Sequence, residues 1–286
     1  MEEGTIWYYE NEAPRLGLRV GYAIENILKV VDTPYQKLQI LESRHFGRML
    51  ILDSCVMLTE RDEFIYHEMI THPAVFAHQS PRSLLVIGGG DGGTLREAAR
   101  HPSLERLVLC EIDEAVIQAS REYFPGVAKG FDDPRVELVV GDAIEYVKGH
   151  KNEFDVIIID SADPIGPGVG LFQAEFYQHV HNALRPGGVM TAQGESPYLH
   201  RKTVRDMHKA LRSVFGASAL YSAFIPTYPS GWWSFAFASK GVDACSAEAI
   251  SRIEAAGFQT RYHTAAVQRA AFVLPPVVSE LLEDGA

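Results

Sequence analysis

The chain is 286 residues long, enough for one large domain or one domain with a small appendage. Hydrophobic residues make up 47% and charged residues 22%, and the formal net charge of −11 argues against nucleic acid while suiting a cationic ligand. Cys55, Cys110 and Cys245 show neither a disulfide nor a zinc spacing, the N-terminus is acidic, and no apolar run approaches membrane-spanning length, so a cytoplasmic protein is expected.

Residues 1–60 read as a small β-rich domain. Ala23–Val31, Gln36–Glu42 and Arg48–Leu52 are predicted strands, separated by turn signals at Thr33-Pro34 and Phe46-Gly47, and Tyr8 and Tyr9 are expected to pack on that sheet. Thr59 and Asp62 give a capping signal for a helix over EFIYHEMITHPAVFAH, with Pro73 closing or kinking it. Residues 61–286 are expected to form the catalytic domain. There the pattern alternates: predicted strands at Leu84–Ile87, Leu107–Cys110, Val136–Val140, Val156–Asp160 and Gly188–Gln193, with helices near 94–100, 114–123, 172–184 and 201–214. Runs that are apolar throughout imply strands covered on both faces, hence an α/β doubly wound parallel sheet. Ala219–Ile225 and Trp233–Ser239 are expected to add strands, and AAFVLPPVVSELLEDGA to form a strand followed by a short helix.

In such a sheet ligands sit beyond the carboxyl ends of the strands. The first of these strands ends in GGGDGG, where Gly88, Gly90 and Gly93 have the spacing of a nucleotide-binding turn. Asp91 inside that turn gives nothing to a phosphate, so the ligand there reads as cationic. The second strand ends in CEID, placing Glu111 eighteen residues after Gly93, where an acid grips ribose hydroxyls. Asp113 reads as a helix cap. Asp142 closes the third strand, in reach of an adenine amine, and Asp160 and Asp163 follow the fourth in a proline-broken loop. Asp91, Glu111, Asp142, Asp160 and Asp163 thus converge on one rim with no compensating Lys or Arg, a cluster that repels itself unless a cation fills it.

These residues resemble the spermidine synthases, the polyamine aminopropyltransferases. TERDEFIYHEM (59–69), GGGDGGTLRE (88–97), CEIDEAVI (110–117), FDDPR (131–135), DSADPIGP (160–167) and PTYPSG (226–231) carry the likeness, which runs from WYYE at Trp7 to AAFVLP at Ala270–Pro275. His263 and Gln268 depart from it, standing where Tyr and His are expected. The resemblance implies a Rossmann-like sheet of the class I methyltransferase type and transfer of an aminopropyl group from decarboxylated S-adenosylmethionine to putrescine, giving spermidine and methylthioadenosine. It places the donor against Gln36, Gly88, Asp91, Glu111, Asp142, Ala143 and Pro167. Asp160 is the expected base, assisted by Tyr66, with His67 nearby. Asp163, Tyr228, Gln193 and Glu195 are expected to hold the far end of the acceptor, with Trp232 walling the pocket. The donor is a co-substrate, no further cofactor is expected, and a homodimer or homotetramer is implied.

Two other enzyme readings stay open: a methyltransferase using intact S-adenosylmethionine, and an aminopropyltransferase acting on agmatine, cadaverine or spermidine. A catalytically idle nucleoside-binding protein is disfavoured by the full set of acids. A metal site is not expected, because His67 and His72 are five residues apart, about 140° around a helix rather than stacked.

Overall fold

The computed structural model describes residues 5–10, 17–163 and 166–283, without the side chains of residues 166 and 167. The expected donor contact at Pro167 therefore lies outside the described side chains.

The N-terminal strands β1 (Ile6–Tyr9), β2 (Gly21–Asp32), β3 (Lys37–Ser43), β4 (Gly47–Leu52) and β5 (Cys55–Thr59) form an antiparallel meander in chain order. The β4–β5 turn carries Asp53 and Ser54 at φ 47° and 73°, the left-handed pair a tight hairpin needs. One face of this sheet buries Leu38, Ile40, Leu50, Leu52 and Leu58 against Val116, Ala119, Phe124 and Val127 of the following domain. That shared apolar layer fixes the meander over the carboxyl ends of the second sheet.

Helix α1 (Glu63–Ala77) links the two sheets. Asp62 stands at its N-cap but makes no capping bond, contrary to the expected motif. Its carboxylate instead accepts from the Thr59 hydroxyl at 2.6 Å and from the Thr227 amide and hydroxyl at 2.9 and 2.7 Å, a tie to the far end of the chain. The helix continues through Pro73. Proline cannot donate to the carbonyl four residues back, and the Met69 carbonyl so released accepts from Tyr221 Oη at 2.8 Å.

The second sheet has seven strands: β6 (Ser83–Gly88), β7 (Arg106–Glu111), β8 (Val136–Val140), β9 (Phe154–Asp160), β10 (Leu184–Gln193), β11 (Ala219–Phe224) and β12 (Trp232–Ser239). Their order is β11-β12-β10-β9-β6-β7-β8, parallel from β10 to β8, with β12 and β11 added antiparallel. Helices α2 (Gly93–Ala99), α3 (Glu114–Tyr123), α4 (Pro125–Ala128), α5 (Ala143–Lys148), α6 (Ala174–Ala183) and α7 (Arg201–Phe215) connect or cover them. One buried layer packs α1 and α2 on the sheet, and another packs α6 and α7 on its opposite face. This is a Rossmann-like, doubly wound α/β fold, and strand order reverses between β6 and β9.

After α8 (Ala247–Glu254), the expected C-terminal strand is absent from the described residues. AAFVLP instead ends helix α9 (Ala265–Ala271), which Thr264 caps by accepting from the Val267 amide, and Pro275-Pro276 then opens the short α10 (Pro276–Ser279). Among the described residues, no single helix is long and apolar enough to cross a membrane.

Candidate active site

The reversal point brings Gly88 of β6 beside Asp160 of β9. Gly88 has φ 78°, and a Cβ there would lie 2.3 Å from the Asp160 carbonyl oxygen, so only glycine lets the turn hug the end of β9. The Gly89 amide then donates to that carbonyl at 2.8 Å. Above this junction, under the N-terminal meander, lies a cavity whose wall includes all five acids: Asp91, Glu111, Asp142, Asp160 and Asp163.

At one end the wall is formed by Gly88, Gly90, Glu111, Asp142 and Ala143, with Gln36, Leu50 and Leu52 from the meander opposite. Burial raises the Glu111 carboxyl to about 7, although its Oε1 accepts the Asp113 amide at 2.9 Å. Asp113 caps α3 as expected, and it also accepts from Gln36 Nε2 at 3.0 Å and the Thr33 hydroxyl at 2.7 Å, which fastens the β2–β3 turn over this end. Asp142 caps α5 through Oδ1 while remaining on the cavity wall.

At the other end stand Tyr66, Asp91, Asp160, Asp163, Gln193 and Tyr228. Asp160 is 9% exposed; its Oδ1 accepts from Tyr66 Oη and its Oδ2 from the Thr94 hydroxyl, both at 2.6 Å. Burial and the neighbouring Asp91 charge raise its carboxyl above the usual range. Burial and Asp160 push the Tyr66 phenol well above its ordinary value, so it acts as a donor and not a base. Asp91 is driven the other way: burial would raise it, but His67 and the Gly93 amide, 2.6 Å from Oδ1, hold it low. Two adjacent carboxylates therefore have opposite tendencies, one toward a fixed charge and one toward accepting a proton.

Three expected positions sit elsewhere. His67 lies behind Asp91 and off the cavity wall, its Nε2 3.2 Å from Asp91 Oδ1 and its Nδ1 2.6 Å from Glu63. Burial would lower this imidazole, but Asp91 and Glu63 hold it up at about 10, so the rim does have a compensating cation. Glu195 is buried behind Gln193, whose Nε2 it accepts at 3.3 Å. Trp232 points away from the cavity, onto Val204, Leu220 and Val278; its neighbour Trp233 lines the wall, since successive strand residues face opposite sides. His263 and Gln268 bond to each other at 2.7 Å, buried beside His72 and off the cavity wall. His67, Asp91 and Asp160 offer ligand atoms within 4.8 Å of one another, a spacing that a metal ion could bridge. An imidazolium donating from both nitrogens has no lone pair for one.

Sequence reading missed Thr94, an ordinary helix residue until β9 is laid beside α2. The N-terminal sheet was expected to lid the site through Gln36, which is on the wall, but Glu10, Tyr35, Cys55 and Met57 were missed, because nothing local announces which face of a short strand roofs another domain.

The fold and this cavity define a Rossmann-like enzyme with an acid-lined pocket at its strand ends. Residues 63–247 match the family model for the spermine/spermidine synthase domain, and residues 6–60 that for the spermidine synthase tetramerisation domain. The polyamine aminopropyltransferase of Thermoanaerobacter sp. (strain X514) is 45% identical over 98% of this chain and 99% of its own; that of Moorella thermoacetica is 46% identical over 97% and 96%. A crystal structure of spermidine synthase in complex with the transition state analogue AdoDATO superposes with a TM-score of 0.94 at 39% identity, covering 99% of this chain and 96% of that one. Spermidine synthase from Thermotoga maritima gives 0.92 at 38%, with the same coverage. The chain belongs to the spermine/spermidine synthase family. It is a transferase of the aminopropyl type.

Proposed function

We propose that this enzyme moves the aminopropyl group of decarboxylated S-adenosylmethionine onto putrescine, releasing spermidine and methylthioadenosine. The observation that carries the reading is the contrast between Asp91, held as an anion, and Asp160, raised toward accepting a proton, on one wall.

In this reading Glu111 grips the ribose, Asp142 and Ala143 meet the adenine, and Gln36, Gly88 and Pro167 complete the nucleoside end. Asp91 takes the donor's ammonium. Intact S-adenosylmethionine carries a carboxylate near that point, which Asp91 repels, so the missing carboxylate is what admits the donor. Asp163, Tyr228 and Gln193 hold the distal ammonium of the acceptor, with Trp233 beside them.

The acceptor's reacting nitrogen must first lose a proton. An alkyl ammonium has a pKa near the Lys value of about 10 and an ordinary Asp one of about 3.9, so an unshifted Asp160 would be a poor base. Its raised carboxyl narrows that gap, and the donor sulfonium lowers the amine further. The neutral nitrogen attacks the methylene carbon beside sulfur, the C–S pair leaves with sulfur as a neutral thioether, and Asp160 keeps the proton. Tyr66 and Thr94 aim the carboxylate. No resident cofactor enters. A homotetramer and a cytoplasmic location belong to the same reading; the described cysteines are all free thiols.

The deciding experiment offers the protein either decarboxylated or intact S-adenosylmethionine, with putrescine, agmatine, cadaverine or spermidine, and identifies products by mass spectrometry. Spermidine and methylthioadenosine from the decarboxylated donor alone support the reading. A methylated amine from the intact donor rejects it, and faster turnover of another amine reassigns the acceptor.

A further inference from the structure

Outside the cavity wall, a line of buried charge runs back from Asp91. The His67 ring, 1% exposed, lies between Asp91 and Glu63. Glu63 in turn receives both terminal nitrogens of Arg96, at 2.9 and 2.8 Å. The Arg96 Nε donates to Glu97 at 2.9 Å, which also holds Arg100 at 2.8 Å. Helix α2 makes room for the ring: a Cβ on Gly93 would stand 2.3 Å from His67 Cε1. The other groups facing His67 are the Tyr66 ring, edge-on at 5.4 Å, and the Asp160 carboxylate.

We propose that Glu63 and Arg96, neither of which lines the cavity, are positioning residues: they hold the His67 ring as a fixed cation behind Asp91 and so set where Asp91 presents its carboxylate to the donor's ammonium. The role assigned to Asp91 rests on the function proposed above.

Charge has to balance in this buried space. Asp91 and Asp160 would compete for a single proton if no cation stood near, and either could lose. The His67 cation stands against Asp91 and resolves the competition in its favour. The Gly93 amide and His67 Nε2 both meet Asp91 at Oδ1, and among the described residues Oδ2 is the oxygen left for a ligand. Glu63 supplies the second anion the ring needs to stay charged while buried. Arg96 keeps Glu63 from taking the ring's proton, and burial, which would raise Glu63, is overridden by His67 and Arg96 to about 2.

The test is nitrogen-15 histidine NMR on the full-length protein, with His67→Gln used to assign the resonance, alongside donor kinetics. In the wild type both ring nitrogens of His67 are expected to stay protonated at pH 8, where an ordinary imidazole of pKa about 6.5 is neutral. In Glu63→Gln the resonance should titrate between pH 6 and 8, and KM for the decarboxylated donor should rise about tenfold with kcat changed far less. Arg96→Gln should do the same, and Arg96→Lys should restore part of the donor affinity. A wild-type His67 that is neutral at pH 8 overturns the proposal, whatever reaction the enzyme catalyses. So does a folded Glu63→Gln variant with unchanged donor KM. If Glu63→Gln fails to fold, the wild-type spectrum and the Arg96 pair still decide. A protein with the charged ring but no aminopropyl transfer would defeat the functional reading alone.

Discussion

Tyr66 of α1 donates its phenol to Oδ1 of Asp160 at the end of β9, 2.6 Å away and 94 residues further along the chain. The bond joins the helix between the two sheets to the reversal point of the second. It also sets the direction in which the carboxylate can take a proton. Asp160→Asn keeps the shape and removes the proposed base, and is expected to lower kcat by about 10²- to 10⁴-fold while methylthioadenosine still binds. Stopped-time product assays and calorimetry measure the two quantities separately; an Asn variant of near wild-type rate would end the assignment.

Turnover should climb with pH through the alkaline range. The raised Asp160 becomes a carboxylate only at higher pH than usual, and the acceptor ammonium also loses its proton on going up, so both effects have the same sign. Initial rates from pH 7 to 9, with the chemical step shown to limit, check this. A flat profile contradicts it.

The proposed ribose contact gives nucleoside affinity its own expected pH window, set by Glu111. Because burial lifts that carboxyl to about 7, it is largely protonated at pH 6 and ionised at pH 8, and only the ionised form accepts from two ribose hydroxyls. Methylthioadenosine carries no charge across this range, so its Kd should fall by about tenfold between pH 6 and 8. Titration calorimetry at the two pH values reads it directly, and an unchanged Kd would remove Glu111 from the ribose.

Asp91→Asn tests the exclusion of the intact donor. Like charges brought together cost several kcal/mol, so removing the Asp91 charge should narrow the preference for decarboxylated over intact S-adenosylmethionine by about a hundredfold. Competition binding with both molecules measures the ratio. A preference unchanged from the wild type would place discrimination elsewhere.

Asp62 makes a prediction about stability alone. Its substitution by Ala strands the Thr59 hydroxyl and the amide and hydroxyl of Thr227 in a buried site, at a cost of about 2–4 kcal/mol. Denaturant unfolding at constant m-value reports it.

Much of the site was legible because apolar strands end abruptly, and the residue that ends each one is fixed by the pattern to within a position or so. Glu111 and Asp160 follow from that alone, and Asp91 and Asp142 from the turns directly after β6 and β8. The Trp232 assignment failed for the complementary reason: along a strand a shift of one residue exchanges the faces, and the pairing of Trp232 with Phe224 and of Trp233 with Ala223 decides which tryptophan looks inward. AAFVLP read as a strand because a short apolar run has no period of its own; the Thr264 cap and the helix-opening prolines decide its state. The spacing of Glu63 and His67, one helical turn, was visible in the chain. That Asp91 would close the other side of the ring was not, because α1 and the glycine turn meet only when folded.

Pro73 shows how a residue that ought to break a helix can act as an alignment key. By denying the Met69 carbonyl its usual partner, it leaves an acceptor open on the side of α1 that faces the sheet, and Tyr221 of β11 takes it. Thr191 of β10 donates to the next carbonyl, Ile70, at 2.6 Å, so two neighbouring carbonyls of α1 are held from the sheet and oppose both sliding and rotation of the helix. Tyr66, on the preceding turn, inherits that fixed bearing. The aim of the phenol at Asp160 is thus keyed by a proline outside the cavity.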